Sequence, residues 1–414
     1  MSRRDGALIV LIALFFPALA FILSGCCLAR SPKNWRAHVF CVALFFAVMS
    51  YGYVPLDETD LTRYFEYVEG IASRGFWETV TYVYENQTGL FVFNALAWVA
   101  GATHDFHLLP AISTFGVYYI GLYMTFMIFE REKFDYKVAK ICLLFVLCAT
   151  DWYAITNNVR NVLAFTLVSF AVFRDVYLGK RNLVTGMFYL LPITIHPTAV
   201  ILILLRLVIH AAKKLKYVLL LSVALIAPMV EFLYLTVPSY TSNIFVNFLL
   251  LKSYNYFFDR GTDWGEEVSN STYFGVHKFL YISMMVAFCL LAVRYREAGR
   301  KQSVPESRRR LLDFQHYVYL LALMAIACFP MLRPEYWRFT AVAFVCSAVL
   351  LSMCLQKKPK SLTEKLSLAY VFGLAPLCLC MWLYRLQYFD VADWIGSILT
   401  TCPVVSLIRD VYAI

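Results

Sequence analysis

Charge is what this sequence has least of. Only 15% of its 414 residues are Asp, Glu, Lys or Arg, and 61% are hydrophobic. Soluble globular domains carry about 25% charged and about 45–50% apolar residues. The deficit excludes a soluble enzyme, a disordered chain and a nucleic-acid-binding domain. All 12 cysteines lie in apolar runs, and none sits in the long polar loops where a disulfide framework would be expected. Cys378 and Cys380 form a C-x-C pair with no His or acidic partner, so they read as small core- or lipid-facing residues and not as metal ligands. There is no phosphate-binding or dinucleotide glycine motif. There is no D-x-D triplet either, because Asp57 and Asp60 stand three apart. The short alternating strands of a membrane β-barrel are missing, as is any internal repeat.

What is present is a series of long apolar runs, such as Ala7–Leu28, Leu108–Phe129, Tyr217–Val237 and Ser367–Leu383. A run of about 18 or more residues with few charges reads as a membrane span. About thirteen such segments follow one another: 7–28, 37–54, 88–103, 108–129, 138–155, 159–178, 183–195, 197–210, 217–237, 273–293, 313–330, 339–355 and 366–386, with a weaker stretch at 394–408. Hydrocarbon offers no water to backbone groups, so helices are expected. The fold class is therefore all-α, a polytopic membrane protein of about 12–14 transmembrane helices forming a single transmembrane domain over 1–414. The first run is too long for a signal-peptide core and lacks a small-residue cleavage site, so it reads as a retained span.

The formal charge of +10 is concentrated in clusters: Lys213, Lys214 and Lys216; Arg294, Arg296, Arg300, Lys301, Arg308, Arg309 and Arg310; Lys357, Lys358, Lys360 and Lys365. These read as turns on the cytoplasmic side, among them a basic cytoplasmic loop at 294–312. No nucleic-acid partner is expected, because the clusters fall between spans. Two long loops, 55–87 and 238–272, are acidic and aromatic and read as extracytoplasmic. Within the first, Leu61, Tyr64, Phe65, Val68 and Ile71 recur at helical spacing, which predicts an amphipathic helix over 60–71 lying on the membrane surface. Alternation of sides then fails in the first half, since Glu130–Lys137 looks cytoplasmic. The region 88–103, with the polar joint His104–His107, is the segment expected to be re-entrant or interfacial. Segments 183–195 and 197–210 are short and meet at His196-Pro197. They form either a hairpin with His196 at its tip or one kinked span with His196 at mid-membrane.

Charged side chains at membrane depth are costly and mark candidate functional sites. Arg160 opens a span in Thr156-Asn-Asn-Val-Arg-Asn-Val-Leu-Ala164. On the expected topology it faces outward, where positive-inside bias does not account for it. It is either a snorkelling arginine or a fork that binds phosphate oxygens. His196 is a candidate base for a sugar hydroxyl. In Met331-Leu-Arg-Pro-Glu-Tyr-Trp-Arg-Phe339, Arg333 and Arg338 suit a diphosphate, while Tyr336 and Trp337 suit sugar faces. The alternative there is an aromatic belt at the membrane interface. Asp57, Asp60, Arg63 and Tyr64 follow the second span directly; the two carboxylates are competing bases or metal ligands, and the other two side chains are candidate sugar contacts. The sequons Asn86-Gln-Thr88 and Asn270-Ser-Thr272 fall in the outer loops.

The order of these features resembles the EpsG-type branch of the Wzy-like polysaccharide polymerases. The matching residues are the acidic-aromatic stretch Asp57 to Tyr67, Arg160-Asn-Val-Leu-Ala164 opening a span, His196-Pro-Thr-Ala199 at a helix junction, and Arg333 to Phe339 opening a late span. Asn161 stands where a Gln is common in the family. The resemblance implies a bacterial inner-membrane enzyme, working at the periplasmic or exterior face, that links oligosaccharide repeat units carried on undecaprenyl diphosphate. It implies partners limited to the lipid-linked oligosaccharide, membrane lipids and a chain-length regulator; the residue types add the expectation of a metal-independent, inverting transfer with no cofactor, because arginines can serve the leaving group in a direct displacement. Arg160, Arg333 and Arg338 would then hold the donor diphosphate, with His196, Asp57 or Asp60 as base. A transferase of single sugars from a polyprenyl-phosphate donor and a flippase of lipid-linked glycans are the competing readings.

Overall fold

The computed structural model describes residues 3–30, 34–55, 59–82, 89–236, 254, 271–300, 305–329, 336–356 and 361–385. Asp57, Arg333, Glu335, nearly all of the loop 238–272, the stretch 394–408, the sequon Asn86-Gln-Thr88 and Asn270 of the other sequon lie outside the described residues. The protein is an all-α polytopic membrane protein, with no strand among the described residues. Among the described residues, three helices are long and apolar enough to cross a membrane alone: Leu108–Glu132, Thr272–Tyr295 and Leu362–Tyr384. A pair, Tyr336–Val345 and Ala348–Gln356, meets the same criterion together but is bent by 49°, the form of a broken span or a re-entrant loop. The bend replaces the one straight span that the apolar run 339–355 predicts.

The first half runs through α1 (Arg3–Phe15), α2 (Pro17–Arg30), α3 (Trp35–Tyr51), α4 (Asp60–Ile71), α5 (Phe76–Val80), α6 (Phe91–Ala102) and α7 (Leu108–Glu132). The single run expected over 7–28 is interrupted at Phe16, where Pro17 has no N–H to give to the helical ladder. Helices α3 and α7 pair antiparallel. Arg36 meets Glu130 at 3.5 Å at one end, and Ser50 donates to Thr114 at 2.9 Å at the other. Helix α6 has 12 residues and rises only about 18 Å, short of the ~30 Å hydrocarbon core. It is too short to cross by itself.

Helix α4 forms where expected, with Leu61, Tyr64, Val68 and Ile71 buried. Its apolar face lies on protein and not on lipid. The approach is close at Gly101 of α6, where an added Cβ would stand 3.2 Å from Ala72 Cα and 3.3 Å from the Val68 carbonyl oxygen. Burial against a neighbouring helix outcompetes the membrane surface because α6 offers a groove without a side chain.

The chain continues through α8 (Tyr136–Ala149), α9 (Trp152–Asn157) and α10 (Val159–Val172), and a π-helical turn at Phe173–Tyr177 extends α10. Helix α11 (Leu183–Leu190) and a 3₁₀ turn (Leu191–Thr194) rise to His196-Pro197, and α12 (Ala199–Thr236) leaves from there. This is a hairpin with His196 at its tip. Its base is held by Asp175, which accepts from Arg206 Nε at 2.6 Å, Arg181 Nε at 2.7 Å and Tyr189 OH at 3.3 Å. Helix α12 is 38 residues long and passes through Lys213, Lys214 and Lys216 without a turn, correcting the break expected there. Around the lysines, over 209–217, the chain contains good helix formers and neither Gly nor Pro, so nothing in the backbone ends the helix there.

The last elements are α13 (Thr272–Arg300), α14 (Glu306–Ala327), α15 (Tyr336–Val345), α16 (Ala348–Gln356) and α17 (Leu362–Arg385). The region 294–312 contains the end of α13 and the start of α14. Helix α7 crosses α15 at Gly121, where an added Cβ would fall 2.6 Å from Val345 Cγ1. Valine is stiff at χ1, so it has little room to yield. Gly121→Ala should therefore lower the thermal midpoint of the detergent-solubilised protein, at a cost of about 1–3 kcal/mol from overpacking. Gly373→Ala, where nothing lies within 4 Å of the new Cβ, should raise it, by about 0.4–1 kcal/mol. Equal shifts of the same sign would contradict this packing.

Candidate functional site: two arginines and a histidine joined by Asn161

Helix α10 begins just after the short helix α9, so Arg160 is the second residue of a helix start at the end of the bundle opposite Arg36 and Asp175. Its side chain is enclosed by protein, with 6% exposure. Nε donates to the Tyr64 hydroxyl at 3.1 Å, and the guanidinium carbon stands 5.1 Å from the Tyr64 ring centre and 5.0 Å from that of Phe93. Two ring faces therefore hold the cation, one from α4 and one from α6. This is not the arrangement of a snorkelling side chain, whose head group seeks water.

The neighbouring residue, Asn161, is 2% exposed. In the amide orientation that gives both ends a partner, its oxygen accepts from Arg338 Nε at 3.0 Å and Nη2 at 3.2 Å. Its nitrogen lies 3.0 Å from Nδ1 and 2.5 Å from Nε2 of His196. The His196 ring also bonds the Thr198 hydroxyl through Nδ1. One carboxamide thus joins a guanidinium on α15 to an imidazole at the hairpin tip. A carboxamide suits this bridge because it has both donor and acceptor ends.

Tyr64 feels both cations. Burial raises its phenol above the ordinary range, Arg160 and Arg338 pull it down, and nearby Asp60 pushes it up; the net shift is upward. The hydroxyl keeps its proton and can donate to a ligand oxygen while it accepts from Arg160. Asp60 is paired with Arg63 within the first turn of α4, and Arg63 is exposed.

Of the residues singled out from the sequence, the structure brings together Asp60, Arg63, Tyr64, Arg160, His196 and Arg338. Tyr336 and Trp337 take another place. They are 1% and 8% exposed and turn their polar atoms onto His277, a partner the stacking role expected of them did not include. An aromatic pair at a helix start is equally at home under the site as over it, and only packing decides which.

Three residues beneath the site escape the sequence reading: Asn161 as a bridge, Asp151 and His277. His277 Nδ1 is 2.8 Å from the Tyr336 hydroxyl, and Nε2 is 3.2 Å from Asp151 Oδ2. A signal for them exists, since Asp151 and His277 are ionisable residues inside the apolar segments 138–155 and 273–293. Their neighbours Trp152 and Lys278 give them the look of span ends.

Two positive helix starts, a base-capable imidazole and a protonated phenol meet in one place. That set can bind an anion with paired oxygens, neutralise charge growing on it, and accept a proton beside it. The family model described as the EpsG family matches residues 36–393. No curated protein and no solved structure matches the chain.

Proposed function

The chain belongs to the EpsG family of Wzy-like polysaccharide polymerases, and from that premise we propose that it joins undecaprenyl-diphosphate-linked oligosaccharide repeat units at the outer face of the bacterial inner membrane. The observation that carries this reading is the Asn161 bridge, which holds a base and an anion-binding guanidinium in one hydrogen-bonded cluster beside Arg160. The basic end of the bundle is read as cytoplasmic, which supports reading the opposite end, with the cluster, as the outer face.

In this reading Arg160 and Arg338 grip the donor diphosphate. An acceptor hydroxyl, at the non-reducing end of a second repeat unit, attacks the anomeric carbon. The bond from that carbon to the diphosphate oxygen breaks, and undecaprenyl diphosphate leaves with the bonding pair. The hydroxyl proton passes to His196, at the ring nitrogen that takes the Asn161 amide N–H until the acceptor displaces it. A single displacement inverts the anomeric configuration. The charge that grows on the leaving group meets preorganised donors, so no divalent metal is needed. Asp60 is occupied by Arg63, which favours His196 as the base.

The test is purified protein in detergent with the host's own lipid-linked oligosaccharide. The expected products are a ladder spaced by whole repeats, and His196→Ala should slow their formation by about 10²–10⁴-fold. Extension by one sugar only, or no bond formation at all, overturns the reading; those are the outcomes for a single-sugar transferase and a flippase.

A further inference from the structure

Below the site lies a second polar group that the proposed mechanism does not use. Asp151 and His277 are 1% and 0% exposed. Burying a carboxylate and an imidazole there is costly, so their connections matter. Asp151 uses both of its oxygens. Oδ1 accepts the Ala154 backbone N–H at 3.0 Å and so caps α9, the short helix that leads through Asn158 into Arg160. Oδ2 faces His277 Nε2 at 3.2 Å.

His277, in turn, holds the start of α15. Its Nδ1 meets the Tyr336 hydroxyl at 2.8 Å, and the Trp337 indole N–H lies against the ring, 2.5 Å from Nδ1 and 2.6 Å from Nε2. The Tyr281 ring stacks on the imidazole with centres 3.9 Å apart. Tyr336 and Trp337 are the two residues that precede Arg338.

We infer that Asp151 and His277 are positioning residues that set the distance between the two arginine-bearing helix starts. One end of this relay caps the helix that delivers Arg160 and Asn161. The other end pins the two residues that deliver Arg338. The inference rests on the proposed role of those arginines and deepens it: the dyad never touches substrate and acts through Arg338. A neutral imidazole with its proton on Nε2 satisfies the relay, donating to the carboxylate and accepting from the phenol. An amide at 151 could keep the cap with its oxygen but would turn a donor toward the imidazole, forcing the ring proton onto Nδ1 and reversing the bond to Tyr336.

The experiment measures polymer made per unit of membrane-inserted protein in a host strain lacking its own copy. His277→Asn keeps a group near Nδ1 and loses the reach to Asp151; Tyr336→Phe removes a single oxygen and keeps the packing. Each should lower polymer output, His277→Asn by about 100-fold, the scale of loss that misplaced reacting groups produce. Arg338→Lys provides the discriminating background. If the dyad acts through Arg338, His277→Asn on top of Arg338→Lys costs far less than it does alone. The same fold-loss in both backgrounds indicates a general packing role and overturns the inference. Full activity of both His277→Asn and Tyr336→Phe overturns it as well. Full activity of Arg338→Lys and Arg338→Ala instead sinks the proposed function itself, so the two failures are told apart.

Discussion

Arg160→Ala should eliminate long-chain polysaccharide, with a loss of about 10³-fold or more in repeat-unit transfer, while the protein still accumulates in the membrane. The expectation follows from how the side chain is held. The guanidinium is 6% exposed and lies against the rings of Tyr64 and Phe93, which themselves meet edge to face, and it donates Nε to the Tyr64 hydroxyl. Such enclosure excludes water and makes each interaction with an anion stronger than at an open surface. Arg160→Lys retains charge but gives up the planar fork and the fixed Nε bond, and it should recover only a small part of the activity. Tyr64→Phe keeps the ring face and loses the hydroxyl, so its defect should be the milder one, on the order of tenfold. Polymer length distributions and protein amounts read all three. Normal chain length in Arg160→Ala would remove the diphosphate role from this residue.

The second large effect is expected at Asn161, which the sequence marks only as a departure from the glutamine common in the family. Its carboxamide joins Arg338 to His196. Asn161→Ala releases both and should lower turnover by about 100-fold. Asn161→Asp should be at least as severe for an electrostatic reason. A carboxylate there would pair with Arg338, cancelling charge meant for the leaving group, and would favour the protonated imidazole, which cannot act as a base. Asn161→Gln keeps both a donor and an acceptor and should retain most of the activity. Turnover in detergent-solubilised protein decides between these outcomes, and an alanine variant as fast as the parent would show that the bridge is incidental.

Part of this arrangement is legible in the chain itself. The apolar runs announce helices in a membrane because backbone groups there have no other partners. The 60–71 helix is visible in the spacing of Leu61, Tyr64, Val68 and Ile71. Arg160 stands out because charge is rare at depth. The junction at His196-Pro197 is equally visible, since proline cannot continue a ladder.

Other features have no local signature. Where α4 lays its apolar face depends on Gly101 in a different helix. The lysines at 213–216 suggest a turn, but charge marks a preferred depth and does not break a helix. Tyr336 and Trp337 have the same composition whether they face substrate or His277. The Asp151–His277 contact spans two segments far apart in the chain, and each residue alone passes for the end of a span.

What the sequence determines by itself, then, is the kind of protein and the short list of charged residues worth testing, because the energetic cost of charge in hydrocarbon arises locally and shows at each position. What only the tertiary structure decides is which of those residues share a site and what holds them there. Hydrogen bonds such as Asn161 to Arg338 and His196, or Asp151 to His277, form between helices, and their geometry is set by packing across the bundle that no single segment encodes.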